Sequence, residues 1–124
     1  MTNVVLYCRI CSNAKGDGRS LDVQEERLRE YCLNKGYNVI EIPHHEVASG
    51  ISFKKRPVFQ NIMKYIRSHK GQVDKLLVLR WDRYSRDYYS ACTNMDLLRK
   101  FGVEVNAIEE PLLKRTDFSS ILYL

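Results

Sequence analysis

Residues 74–87, DKLLVLRWDRYSRD, decide how the rest of the chain is read. Leu76, Leu77, Val78 and Leu79 form an unbroken apolar run. So short a run, rich in aliphatic residues, predicts a strand over 74–81 that is covered on both faces, as strands of a parallel sheet are. Directly after it comes Asp82-Arg83-Tyr84-Ser85-Arg86-Asp87, a dense group of charges and hydroxyls. In open parallel α/β sheets this is where sites form, beyond the carboxyl ends of the strands.

Working outward, the pattern alternates strand with helix. Residues 3–9 are rich in β-formers and predict a buried first strand. Ser20 is a helix N-cap, followed by Leu21, Val23, Leu28, Tyr31 and Cys32 at spacings near three and four, and Lys35-Gly36 ends the helix. YNVIEI (37–42) predicts a second strand, and HHEVASGISFKKR (44–56) reads as a loop without apolar period. Pro57 opens a second helix that carries Phe59, Ile62, Met63 and Ile66 inward. A third helix is predicted from about Tyr88 to Lys100, and VEVNAI (103–108) is a fourth strand. The order β-α-β-α-β-α-β predicts a three-layer α/β domain, a central and mainly parallel sheet flanked by helices. From Asp117 to Leu124 a capping residue precedes apolar positions, like the first turns of a further helix.

The chain of 124 residues is the size of one domain. Its 44% apolar and 28% charged residues fit a globular protein and exclude a disordered one. No apolar run approaches the roughly 20 residues of a membrane helix, and the N-terminus lacks a signal pattern. The expectation is a cytoplasmic protein with no membrane contact. Cys8, Cys11, Cys32 and Cys92 are then expected to be free thiols. A formal charge of +5 and a pI near 9.1 favour polyanionic partners.

Three groups fall at strand ends: Arg9-Ile10-Cys11-Ser12, then Glu46 to Gly50 with Lys54, Lys55 and Arg56, then Asp82 to Asp87. A parallel sheet brings them to one edge, with Arg9, Arg56, Arg83 and Arg86 around a hydroxyl or thiol. Guanidiniums held close together repel one another, and a fold that gathers them is suited to a multiply charged oxyanion, most simply a phosphate. Such a cluster can stabilise a phosphodiester as charge develops on it.

Four motifs in order now resemble the catalytic domain of the serine recombinases, the resolvase and invertase family. They are Tyr7-x-Arg9-x-(nucleophile), Ser20-Leu21-Asp22-x-Gln24, Ala48-Ser49-Gly50 followed by Arg56-Pro57, and Trp81-Asp82-Arg83-Tyr84-Ser85-Arg86. The resemblance runs from about residue 3 to the end of the chain and is closest in kind to the larger recombinases of mobile elements. It implies a site-specific recombinase acting on double-stranded DNA, in which a serine attacks the scissile phosphodiester and leaves a 5′-phosphoserine link and a free 3′-hydroxyl. It implies no cofactor and no metal, because the covalent link conserves the phosphodiester energy. It implies Arg9, Arg83 and Arg86 on the scissile phosphate and Asp82 orienting an arginine or assisting proton transfer. Arg56, Gln24, Ser49, Glu46 and Tyr7 would complete the site, Glu46 as a partner that neutralises arginine. It places the catalytic domain at 1–116 and the start of a dimerisation helix at 117–124, with the DNA-binding domain outside these residues and the full-length protein a homodimer or homotetramer.

One position departs from the family pattern. Where the motif has serine, position 11 is cysteine. Side chains alternate along a strand, so Cys11 shares a face with Arg9 while Ser12 points away. Cys11 therefore takes the nucleophile's place, and Ser12 is the alternative if a bulge shifts the register. A thiol beside arginines should ionise readily, though sulfur suits phosphorus poorly, and a non-catalytic DNA-binding or assembly module that kept the fold is the rival reading.

Cys8-x-x-Cys11 also invites a thiol-disulfide or zinc hypothesis. Residues three apart on a strand face opposite sides, and Cys32, Cys92, His44 and His45 stand at no familiar ligand spacing, so no metal is expected. A thiol-disulfide enzyme would leave the arginines without a purpose. Tyr84, Tyr88 and Tyr89 are read as packing residues, and Lys54 and Lys55 as phosphate contacts that carry no sequence information.

Overall fold

A computed structural model describes residues 1–11 and 20–111. The first strand is not continuous: β1 spans Asn3–Leu6 and β2 spans Cys8–Ile10. Helix α1 (Leu21–Lys35), strands β3 (Asn38–Val39) and β4 (His45–Val47), and helix α2 (Pro57–Ser68) follow. The remainder is β5 (Lys75–Val78), a single turn α3 (Trp81–Tyr84), α4 (Tyr88–Lys100) and β6 (Glu104–Ala107).

The main sheet has the order β3-β1-β5-β6 with every neighbouring pair parallel, and β2 and β4 form a second, two-stranded parallel sheet. The expected α/β architecture is therefore present. Alternation along β1 divides the core in two. Val5 and Tyr7 face a cluster with Phe59, Ile62, Met63 and Ile66 of α2 and Ala91, Met95 and Leu98 of α4, while Val4, Leu6 and Cys8 face Leu28 and Cys32 of α1. The four apolar positions expected to point inward from α2 are all buried. Among the described residues no helix is long and apolar enough to cross a membrane.

Local chemistry sets the helix ends. The Ser20 hydroxyl accepts from the Val23 amide at 3.2 Å, and Gly36 closes α1 in the left-handed region at φ 72°. Asp87 caps α4 by accepting from the Ser90 amide at 3.2 Å.

Four expectations need correction. The strand predicted over 37–42 is confined to Asn38–Val39. The strand predicted over 3–9 breaks at Tyr7, whose amide still donates to the Leu77 carbonyl at 2.9 Å, whereas the Cys8 amide donates to His44 at 2.8 Å. The chain thus changes pairing partner between these two residues. Residues 45–47, expected to be loop, form that new partner. Glu46 is buried there, and an inward carboxylate in a three-residue strand gives no apolar alternation to detect. The strand predicted to reach Trp81 ends at Val78, and Trp81–Tyr84 turns into helix with Trp81, Arg83 and Tyr84 buried.

Phe59 sits at the centre of an aromatic cluster with Tyr7, Phe53 and Tyr84, at ring distances of 5.4, 4.6 and 6.1 Å. Phe59→Ala should lower unfolding stability by about 3–5 kcal/mol in urea titration. A loss below about 1 kcal/mol would mean that the cluster does not hold the two layers together.

Candidate active site

The break after Tyr7 aims Arg9 into the gap between the two sheets. Its side chain is fully buried, and main-chain carbonyls engage all three guanidinium nitrogens. Nε donates to Arg83 at 2.8 Å, Nη1 to Ala48 at 2.8 Å and Nη2 to Asp82. These acceptors are neutral and leave the positive charge uncancelled. Nη1 also lies 3.3 Å from the Cys11 sulfur. Buried Gln24 on α1 fixes the backbone of the same residue, its Oε1 accepting from the Arg9 amide at 3.1 Å and its Nε2 donating to the Arg9 carbonyl at 3.0 Å. Gln24 thus acts on the site through the position of Arg9.

Gly50 closes the site from the other side. A Cβ there would lie 3.0 Å from Arg9 Nη2 and 3.1 Å from Arg86 Cγ, so a side chain would press on both arginines and make them give by a few tenths of an ångström. The Gly50 carbonyl accepts from the Arg86 amide at 2.8 Å and from the hydroxyl of buried Ser85 at 3.3 Å. Ser85 has no charge and no special spacing to single it out in sequence. Gly50 was visible as part of the Ala48-Ser49-Gly50 motif, but its reason, contact with two arginines distant in sequence, was not.

A second buried arginine underlies this layer. Arg56 donates through Nε to the Ser49 carbonyl at 3.1 Å and through Nη1 to Tyr84, with its guanidinium 4.0 Å from the Phe53 ring. Its Nη2 is buried without a hydrogen bond, and burial pushes its pKa down. Glu46, expected to neutralise arginine, makes other bonds. Its oxygens accept from the amides of Phe59 (2.9 Å) and Val58 (3.1 Å) at the open N-terminus of α2, and from the Tyr7 hydroxyl (3.0 Å). Burial, together with Glu46, raises the Tyr7 pKa and keeps that phenol protonated. Arg56, Glu46 and Tyr7 are thus framework under the site. The Ser49 hydroxyl is exposed and accepts from the Ile51 amide at 3.2 Å.

Cys11 is exposed, and its pKa is lowered by the hydrogen bond from Arg9 and by the charges of Arg86 and Arg83. Cys8, three residues earlier, is pushed up to about 12 by burial. Arg83 is nearly buried with its Nε 3.7 Å from Asp82 Oδ1, whereas Arg86 is exposed. The structure therefore brings Arg9, Cys11, Asp82, Arg83 and Arg86 together, as the strand-end argument expected. Ser12 and the helix expected from Asp117 lie outside the described residues. Tyr84 is buried as predicted for packing, Tyr89 is 77% exposed, and Lys54 and Lys55 are exposed.

Residues 4–123 match the family described as Resolvase, N terminal domain. The chain belongs to this family. It is a resolvase-type catalytic domain of the serine recombinases. No curated protein sequence matches it. Among solved structures, the N-terminal catalytic domain of TP901-1 integrase is 25% identical with a TM-score of 0.82, covering 98% of this chain and 92% of the other. A resolvase family site-specific recombinase from Streptococcus pneumoniae is 20% identical (TM-score 0.74; 98% and 83% covered). The C-terminal catalytic domain of ISC1926 TnpA, an IS607-like serine recombinase, is 22% identical (TM-score 0.72; 98% and 76% covered). The two latter likenesses bear on the fold.

The two thiols of the first strands should differ sharply in reactivity. With alkylation followed peptide by peptide, the Cys11 rate is expected to rise with a midpoint below the ordinary thiol value of about 8.5, while Cys8 stays unmodified in the folded protein. Arg86→Ala should move the Cys11 midpoint upward, and an unmoved midpoint would mean that Arg86 does not act on the thiol. Separately, Gln24→Ala leaves the Arg9 amide and carbonyl buried without partners and should cost about 2–4 kcal/mol in denaturant titration.

Proposed function

We propose that this domain cuts and rejoins double-stranded DNA through a covalent protein–phosphate link at position 11, as part of a site-specific recombinase. The observation that carries the reading is the Arg9 guanidinium, held by neutral carbonyls and 3.3 Å from the Cys11 sulfur. Its charge is available to whatever anion forms at that position. In the uncomplexed protein it favours ionisation of the Cys11 thiol. In the reaction the anion is the phosphoryl group being transferred.

The roles divide by exposure. Arg9, buried behind the sulfur, ionises and orients the nucleophile. Exposed Arg86 and the edge of Arg83 meet the non-bridging oxygens of the phosphodiester, and Asp82 holds Arg83 in place. The Cys11 thiol first loses its proton to solvent. The thiolate then forms a sulfur–phosphorus bond as the bond from phosphorus to the 3′-oxygen breaks, and that oxygen takes a proton from water to become the free 3′-hydroxyl. Attack by a 3′-hydroxyl reverses the step and releases Cys11. The arginines supply the charge that stabilises the transferring group, and no metal or cofactor is needed for the exchange. Copies of the chain in a dimer or tetramer place one such site on each strand to be cut, in the cytoplasm.

The second reading, a DNA-binding or assembly module without chemistry, is favoured by one observation, the thiol at position 11 in place of a hydroxyl. A denaturing gel separates the two. This domain, joined to the dimer helix and DNA-binding part expected of the full-length protein, is incubated with duplex DNA carrying the ends of its own element, and a covalent protein–DNA band is compared for cysteine at position 11 and for Cys11→Ser. The band is expected to increase strongly with serine. Arg86→Ala in that background should slow its formation about 100-fold without changing thermal stability. No band in either protein would favour the module, and a band in the cysteine chain that disappears with Ser12→Ala would move the nucleophile to Ser12.

A further inference from the structure

Behind the candidate active site, on the opposite face of β2, four groups with metal-ligating atoms converge. Cys8 lies opposite His45 in the register of β2 with β4, and His44 precedes His45. One ligand atom from each of Cys8, His44 and His45 falls within 4.8 Å of the others. Glu25 of α1 borders this triad on the histidine side, its Oε1 lying 2.6 Å from His45 Nε2 and 3.2 Å from His44 Nε2. A tetrahedral zinc site with bonds of about 2.0–2.3 Å has ligand atoms about 3.5 Å apart. Shifts of an ångström or so in side chains alone would meet that spacing.

The orientation of His44 is the second observation. Its Nδ1–H donates to the Ile42 carbonyl at 2.8 Å, which leaves Nε2 as the nitrogen directed at the cluster. That Nε2 is buried and lies 3.2 Å from Glu25 Oε1, a contact that is an ion pair when the imidazole carries both protons and a pair of ligand atoms when a metal replaces the inner proton. A nitrogen lone pair facing a carboxylate oxygen is repulsive unless a proton or a metal cation sits between them. Metal-bound histidines have this arrangement, with the outer N–H fixed by a carbonyl and the inner nitrogen free to ligate. Glu25 is supported in the same manner, since Arg29 holds its other oxygen at 2.7 Å and is itself held by Glu41 at 2.7 Å.

We infer that Cys8, His44, His45 and Glu25 form a binding site for a single borderline-soft divalent cation, of which zinc is the best match. One thiolate, two imidazoles and one carboxylate are donors that zinc accepts, and thiolate with imidazole selects against magnesium and calcium. On coordination the Cys8 thiol gives its proton to solvent and sulfur binds the metal. Entry is from the surface, where Glu25, Pro43, His44 and His45 line a shallow concavity. Arg9 follows Cys8 directly and points to the other side of the strand. The ion would therefore bind β2 to β4 and α1 from behind and steady the backbone that carries Arg9, without touching DNA.

The test uses the whole chain, stripped with a chelator and dialysed, then titrated with Zn²⁺ by calorimetry and with Co²⁺ by absorption. One equivalent of Zn²⁺ is expected to bind and raise the melting temperature. Co²⁺ should develop an intense near-ultraviolet sulfur-to-metal band. Cys8→Ser should abolish that band, and His45→Ala, at a partly exposed position, should weaken Zn²⁺ binding at least tenfold. Cys11→Ser should leave both unchanged. Should Cys8→Ser fail to fold, His45→Ala and Glu25→Gln decide alone. The inference is overturned if Zn²⁺ binds at less than half an equivalent, if the cobalt band survives Cys8→Ser or is lost with Cys11→Ser, or if His45→Ala and Glu25→Gln both bind as the parent does. Because none of these readouts involves DNA cleavage, failure here leaves the recombinase reading standing, and the converse holds too.

Discussion

A buried guanidinium with main-chain carbonyls as its acceptors is the constraint on which the rest of this domain depends. Arg9 draws together three segments: its own strand, the Ala48 loop, and the turn after β5 through the Asp82 and Arg83 carbonyls. A carboxylate partner would have satisfied the guanidinium more simply and cancelled its charge. Carbonyls satisfy its hydrogen-bonding groups and keep the charge, at a desolvation cost that the surrounding fold must offset. Gln24 is the counterpart on the backbone side, and Gly50 is the point at which a side chain would press against both Arg9 and Arg86.

The break at Tyr7 follows from this constraint. Had β1 continued straight along β5, Arg9 would project from one face of the main sheet and could not reach the Ala48 carbonyl. Transfer of pairing from Leu77 to His44 turns the strand toward β4. That short strand in turn presents Glu46 to the N-terminus of α2, where two amides and the Tyr7 hydroxyl use its oxygens. Tyr7 thus stands at the break and joins the first sheet, the second sheet and α2. One hydroxyl and one carboxylate in contact there position a helix and a strand at once, which explains why two polar residues lie in so apolar a region.

Features legible in the sequence were those with a local cause. Ser20, Gly36 and Pro57 mark helix ends by backbone chemistry of their own, and Phe59, Ile62, Met63 and Ile66 repeat with the helical period. Leu76 to Leu79 needs no partner to be recognised as a buried strand. The convergence of Arg9, Cys11, Arg83 and Arg86 was legible too, because parallel topology sends strand ends to one edge. Features with non-local causes were hidden. The strand at 45–47 exists only because Cys8 to Ile10 pair with it, and the carbonyls that hold Arg9 and Arg56 carry no sequence signal. Cys8, His44 and His45 failed the test of ligand spacing for the same reason: a pairing between distant segments, and not a short loop, brings them together.

Cys8 and Cys11 then show how far environment outweighs residue type. Alternation along one short strand buries the first sulfur and exposes the second beside Arg9, and their acidities move in opposite directions. On the recombinase reading proposed above, the lowered pKa of Cys11 would work against the reaction. A serine hydroxyl at that place remains neutral until it attacks, so the arginines interact most strongly with charge that appears in the transition state. A thiol whose ionisation is favoured takes on that charge more readily before the reaction, and Arg9 stabilises it there as well. Interaction gained equally before and during the reaction does not lower the barrier, and a thiolate of lower pKa is also a weaker nucleophile. On the reading proposed above, the same arginine cradle that would activate serine favours the ionised form of cysteine before the reaction, so cysteine at position 11 would slow strand cleavage by stabilising the resting state and not by disturbing the geometry of the site.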